Sequence, residues 1–147
     1  MMLFTIGYEK STFPELAQTL CDAGVSRLID VRASPHSRRR EFAYKHLGPA
    51  LQAHGIAYES WPELGAPEPA REAAKQGDAA TFFRLYEAQL DTGGGQLALE
   101  KLGQLAMNES PCVICYERDP AQCHRMLIAE RLELIAGTRV EHLWVGS

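Results

Sequence analysis

Short, unbroken apolar runs alternate along this chain with longer stretches in which apolar residues return every third or fourth position. The first run, Leu3-Phe4-Thr5-Ile6, stops at Gly7 and predicts a buried strand with a conformationally permissive residue at its exit. Thr12 then stands three residues before Glu15, the spacing of a capping box, and Leu16, Leu20 and Ala23 form a stripe that Gly24 closes, so a helix follows. Arg27-Leu28-Ile29-Asp30-Val31-Arg32 is a second buried strand whose last residues turn polar, with Asp30 and Arg32 on the same face.

Periodicity fails from residue 33 to residue 43, where Pro35, His36, Ser37 and the triplet Arg38-Arg39-Arg40 predict a basic loop. A helix over 44–54 is stopped by Gly55, and a third strand over 56–60 leads into Trp61. Residues 66–108 are helical in character, predicting helices over 69–75, 78–90 and 96–107. The glycines at 93–95 read as a hinge between the last two. A fourth strand over 112–116, the longest helix over 120–136 and a fifth strand over 140–145 complete the pattern. Strands separated by helices require crossovers. The expectation is therefore a single α/β domain over 1–147, with a mostly parallel sheet of about five strands, helices on both faces in a Rossmann-like three-layer arrangement, and a largely helical insertion at about 66–108. In such sheets ligands bind beyond the carboxyl ends of the strands, where Gly7, Tyr8, Asp30, Arg32 and Glu117 fall.

Composition narrows the function classes. In 147 residues, 46% are hydrophobic and 23% charged, and the net charge is −4. That balance is ordinary for a globular protein and argues against a general positive field for coating duplex nucleic acid. No run approaches the roughly 20 apolar residues of a membrane span, and the first eight residues lack a signal-peptide pattern, so a cytoplasmic location is expected. The four cysteines, Cys21, Cys112, Cys115 and Cys123, then read as free thiols.

Chemistry-bearing side chains are densest over 115–125, where Cys115, Glu117, Cys123, His124 and Arg125 follow one apolar run. Cys112 and Cys115 have zinc-like spacing. Three apart on a strand, however, they point to opposite faces, so no metal and no cofactor is expected. The same parity disfavours a thioredoxin-type pair. A phosphatase-like loop would place arginine where Ala121 stands. Asp119, Pro120 and Gln122 satisfy helix-start rules together, and the resulting wheel turns His124 and Arg125 toward the sheet and Cys123 aside, near Glu130. An inward arginine needs an anion or a carboxylate, and Asp30 and Glu117 are available.

Two readings follow. Asp30, Arg32, Glu117 and Arg125 form an ion-pair network that fastens strand ends to a helix, or they line a pocket in which arginines hold an anion while His124 or Glu117 moves protons. Candidate catalytic residues are His124, Glu117, Asp30, Cys123 and Cys115. Candidate ligand-binding residues are Arg32, Arg125, Gly7, Tyr8, Ser37 and Arg38, the last two on a loop able to clamp phosphate.

Thr5-Ile6-Gly7, Leu28 to Arg32 with Pro35 and Ser37, Gly55-Ile56-Ala57-Tyr58, Leu64-Gly65 and Cys115 to Arg125 together resemble the family catalogued as domain of unknown function 488. The family commonly has Gly-His-Ser where this chain has Gly7-Tyr8-Glu9, so no histidine role transfers there. The resemblance implies a compact α/β domain with a polar pocket and implies no established reaction. The functional expectation is an enzyme acting on a phosphate-bearing ligand, an anionic small molecule or nucleic-acid component. The alternatives are a non-catalytic nucleotide- or nucleic-acid-binding module and a thiol redox sensor.

Overall fold

Each apolar run becomes a strand: β1 Met2–Gly7, β2 Arg27–Asp30, β3 Ala57–Ser60, β4 Pro111–Cys115 and β5 Arg139–His142. They lie parallel in one sheet in the order β3-β2-β4-β1-β5. The computed structural model describes residues 2–35 and 37–145, apart from the Gln122 side chain. His36 and the Gln122 half of the expected capping box lie outside the described residues.

Helices cover both faces because alternate strand residues are apolar on both sides. On one face α1 Phe13–Ala23 and α2 Tyr44–Gln52 bury Leu16, Leu20, Leu47 and Leu51 against Phe4, Ile6, Leu28, Cys112 and Ile114. On the other, α3 Glu68–Lys75, α4 Ala79–Leu90, α5 Gly93–Asn108 and α6 Arg125–Ala136 bury Ala70, Phe82, Tyr86, Leu102, Ile128 and Leu132 against Leu3, Ile29, Val113 and Cys115. Cys112 and Cys115 therefore do face opposite layers, as strand parity requires. Among the described residues, no helix is long and apolar enough to cross a membrane.

Local signals locate several helix ends. Thr12 and Glu15 form the full reciprocal capping box of α1, and Gly24 closes it in the left-handed conformation at φ 76°. Asp78 accepts from the Thr81 amide at the start of α4.

Three expectations are corrected. The glycines at 93–95 are not a hinge: Thr92 caps α5 through the Gly95 amide, and they form its first turn. At Gly95 a side chain would strike the Gln89 carbonyl, so the close approach of α4 requires its absence there. The start signals at Asp119 and Pro120 do not open the long helix. They close a 3-10 turn over Pro120–Gln122, with Asp119 accepting from the Ala121 amide at 2.9 Å, and Cys123 is extended at φ −129° and ψ 149° before α6 begins. The helical wheel thereby fails at Cys123, which is fully buried, while His124 and Arg125 do face inward as it placed them.

Strand registers bring the functional ends level. Gly7 pairs with Cys115, and Asp30 with both Ile114 and Ser60. The chain leaving each strand at this edge builds the site.

Candidate functional site

A cavity of about 440 Å³ opens beyond the carboxyl ends of β1, β2 and β4, within the size range of small-molecule sites. Tyr8, Arg32, Cys115, Glu117 and His124 line it from the sheet side, and Arg71, Lys75 and Phe82 from α3 and α4. Of the expected residues it therefore gathers five. Asp30, Arg125 and Cys123 are fully buried and absent from its wall; Ser37, half-buried, and Arg38, exposed, are absent from it too. Gly7 does not face the cavity: a Cβ there would overlap the Glu117 carbonyl and crowd Arg125, so its role is close backbone approach.

Asp30 and Arg32 make a two-pronged ion pair, Nε to Oδ1 at 2.8 Å and Nη2 to Oδ2 at 2.6 Å. Tyr58 Oη donates to the same carboxylate at 2.5 Å, and the Arg32 amide also reaches it at 3.1 Å. Arg32 Nη1 donates to Tyr8 Oη and Nη2 to the Phe42 carbonyl. Of five guanidinium hydrogens, one on Nη1 remains for a ligand. Burial alone would lower the Arg32 pKa, yet Asp30 holds it above its ordinary value. Tyr58 is pushed up, first by burial and then by the Asp30 charge.

Arg125 does not meet Asp30, nor does any other ion pair among the described residues include it. Its guanidinium is wrapped by main-chain and hydroxyl oxygens that accept from it: Nε donates to Thr5 Oγ1 at 3.1 Å, Nη2 to the Arg118 carbonyl at 3.0 Å and Nη1 to the Glu117 carbonyl. Nη1 also lies 3.1 Å from Cys115 Sγ. Thr5 Oγ1, which accepts from Arg125 Nε, also lies 2.6 Å from His142 Nδ1. Burial lowers the Arg125 pKa to about 10. The network of the first reading thus exists only as the Asp30–Arg32 half. Arg125 binds the Glu117 main chain rather than its carboxylate.

Cys115 and Cys123 are joined by a disulfide, correcting both the free-thiol expectation and the outward Cys123. Cys123 is fully buried because the extended backbone at that position swings its side chain under β4. Cys112 is free and buried, its thiol pKa pushed up by burial, and Cys21 is free and exposed.

His124 Nε2 lies 2.8 Å from the Val31 carbonyl. A carbonyl only accepts, so Nε2 carries the hydrogen and Nδ1, 3.7 Å from Cys123 Sγ, presents a lone pair. Burial lowers its pKa to about 4, so the ring is neutral near pH 7. Cys115, Cys123 and His124 offer two sulfurs and a nitrogen within 4.8 Å of one another, a donor set suited to a soft metal once the sulfurs are reduced. Glu117 sits at intermediate burial with Oε2 3.8 Å from Cys115 Sγ, and burial raises its pKa. It is the lone carboxylate among the cavity's lining residues, against the cations Arg32, Arg71 and Lys75.

Sequence reasoning missed Arg71 and Lys75. The available signal was their i, i+4 spacing with Ala74 between them, which puts one basic face on α3. Nothing local aims that face at the strand ends.

A family model described as "Domain of unknown function DUF488" matches residues 12–132. No curated protein and no solved structure matches the chain.

Proposed function

This chain belongs to the DUF488 family, and from its own geometry we propose that it is a small enzyme acting on a phosphate-bearing molecule in the cavity at the strand ends. One observation carries the reading: Arg32, Arg71 and Lys75, from two separate parts of the fold, converge on a single cavity whose lining holds one carboxylate. Arg71, Lys75, which lies 4.0 Å from Glu72 Oε2, and the one Nη1 hydrogen that Arg32 keeps beside its Asp30 pair favour an anion in this recess. Tyr116 lines the same cavity while 48% exposed, offering an aromatic face to a nucleobase.

Glu117 is the proton carrier in this scheme. Its burial brings the carboxyl pKa up toward the working range of a general acid or base. His124, neutral and with its N–H given to Val31, braces the cavity wall rather than exchanging protons with the ligand. Arg125 shapes the Glu117 and Arg118 backbone from behind.

The test is titration with inorganic phosphate and nucleoside monophosphates, followed by phosphorus NMR for turnover. Saturable binding weakened by Arg71→Ala with Lys75→Ala, and turnover lost in Glu117→Gln with binding retained, support the enzyme. Binding without turnover, steeply salt-dependent and indifferent to Glu117→Gln, fits a non-catalytic module instead.

A further inference from the structure

We propose that Cys115 and Cys123 form a thiol–disulfide exchange couple reached through the same cavity, with a low-molecular-weight thiol bearing carboxylates as co-substrate. The inference rests on the cavity admitting anions, as the preceding reading has it, but not on phosphate being the ligand.

The two sulfurs are not equivalent. Cys115, 1% exposed, borders the cavity and Cys123, fully buried, does not, so of the two sulfurs Cys115 Sγ is the one a thiol in the cavity can approach. Their surroundings differ in the way an exchange couple requires. Arg125 Nη1, 3.1 Å from Cys115 Sγ, is a buried cation outside the described ion pairs; it donates toward the sulfur and favours a thiolate there, against the Glu117 carboxylate 3.8 Å away on the same sulfur. On the far side the His124 Nδ1 lone pair faces Cys123 Sγ at 3.7 Å, because Nε2 is committed to the Val31 carbonyl. It accepts an S–H hydrogen bond from reduced Cys123 and so aims that sulfur at Cys115; when Cys123 resolves the adduct its proton leaves with the departing RS⁻ as RSH. Arg32, Arg71 and Lys75 favour co-substrates carrying negative charge.

The steps balance. A thiolate RS⁻ attacks Cys115 Sγ, forming a mixed disulfide there. The Cys115–Cys123 bond breaks, and its electron pair goes to Cys123 Sγ, which takes up a proton released by the thiol. A second thiolate attacks the RS sulfur of the mixed disulfide, RSSR departs, and the electron pair remains on Cys115 Sγ beside Arg125. Two thiols are oxidised to RSSR as the protein disulfide is reduced to a thiol and a thiolate. Run backwards, the Cys115 thiolate attacks RSSR and Cys123 resolves the adduct.

The experiment uses the full chain in a Cys21→Ser background, which removes the exposed thiol. Oxidised glutathione is added to Cys123→Ser and to Cys115→Ser, and intact mass is read. The expected result is one glutathione per chain on Cys123→Ser and none on folded Cys115→Ser. The disulfide form is then reduced with mercaptosuccinate and with cysteamine, each rate referred to that thiol's rate with a small free disulfide. The anionic thiol should be favoured by roughly tenfold, and Arg71→Ala with Lys75→Ala should remove most of that preference. Labelling of Cys115→Ser instead, equal normalised rates, or a reduced protein that binds zinc one-to-one and exchanges with neither thiol would each overturn the couple. Phosphate titration of the same samples separates the two readings. Exchange without phosphate binding sinks the phosphate enzyme alone, and phosphate binding without exchange sinks the couple alone.

Discussion

Asp30 and Arg32, two residues apart at the end of β2, close a buried two-pronged ion pair in which Asp30 is fully shielded and Arg32 is 7% exposed. Removing one partner leaves the other as an uncompensated buried charge. Asp30→Ala should therefore cost about 3–5 kcal/mol in urea unfolding, while Asp30→Ala with Arg32→Met should recover part of the loss. A single-variant cost below about 1 kcal/mol would contradict the pair's burial.

The Arg71 and Lys75 side chains are exposed on α3, where the one described ion pair is the exposed contact of Lys75 with Glu72 at 4.0 Å. Replacing both with alanine should leave the unfolding midpoint nearly unchanged and weaken phosphate binding by roughly tenfold. Equal affinity in calorimetric titration would remove α3 from the site.

His124 sets a pH dependence of stability. Its pKa falls from about 6.5 in the unfolded chain to about 4 in the fold through burial. Between those values the unfolded chain binds the extra proton. The His124 contribution is thus fully present above about pH 6.5 and lost as pH falls toward 4, on the order of 3 kcal/mol in all. Glu117, whose pKa is raised by burial, acts with the opposite sign just above the carboxylate range. It is common to wild type and His124→Gln, so the difference between their unfolding free energies across pH 4–7 isolates the histidine. Parallel pH profiles would refute the assignment.

Gly7 has no room for a methyl group against the Glu117 carbonyl. Gly7→Ala should destabilise by more than about 3 kcal/mol, measured by thermal unfolding, because β1 and the 117–118 turn must separate. A near-neutral variant would show that the turn yields easily.

Native alkylation followed by peptide mapping should modify Cys21 and spare Cys112, which is buried with a raised pKa. Without reductant, Cys115 and Cys123 should remain unlabelled. Label on either would break the disulfide assignment.

What the sequence determined by itself is whatever lies within one element. The five apolar runs, the Thr12–Glu15 box, the Gly24 stop and the opposite faces of Cys112 and Cys115 depend on neighbours a few residues away, and all appear in the fold. The strand ends at Tyr8, Arg32, Cys115 and Glu117 were legible because parallel strands bring their carboxyl ends to one edge. The start of α6 was not. Asp119 and Pro120 satisfy free amides equally well at a 3-10 turn and at an α-helix, so local rules could not choose, and the choice reversed the direction of Cys123. Packing decided the rest. Only the tertiary structure gives Asp30 to Arg32, leaves Arg125 against a cysteine sulfur and turns the basic face of α3 toward β4, because each contact joins residues that no local periodicity relates.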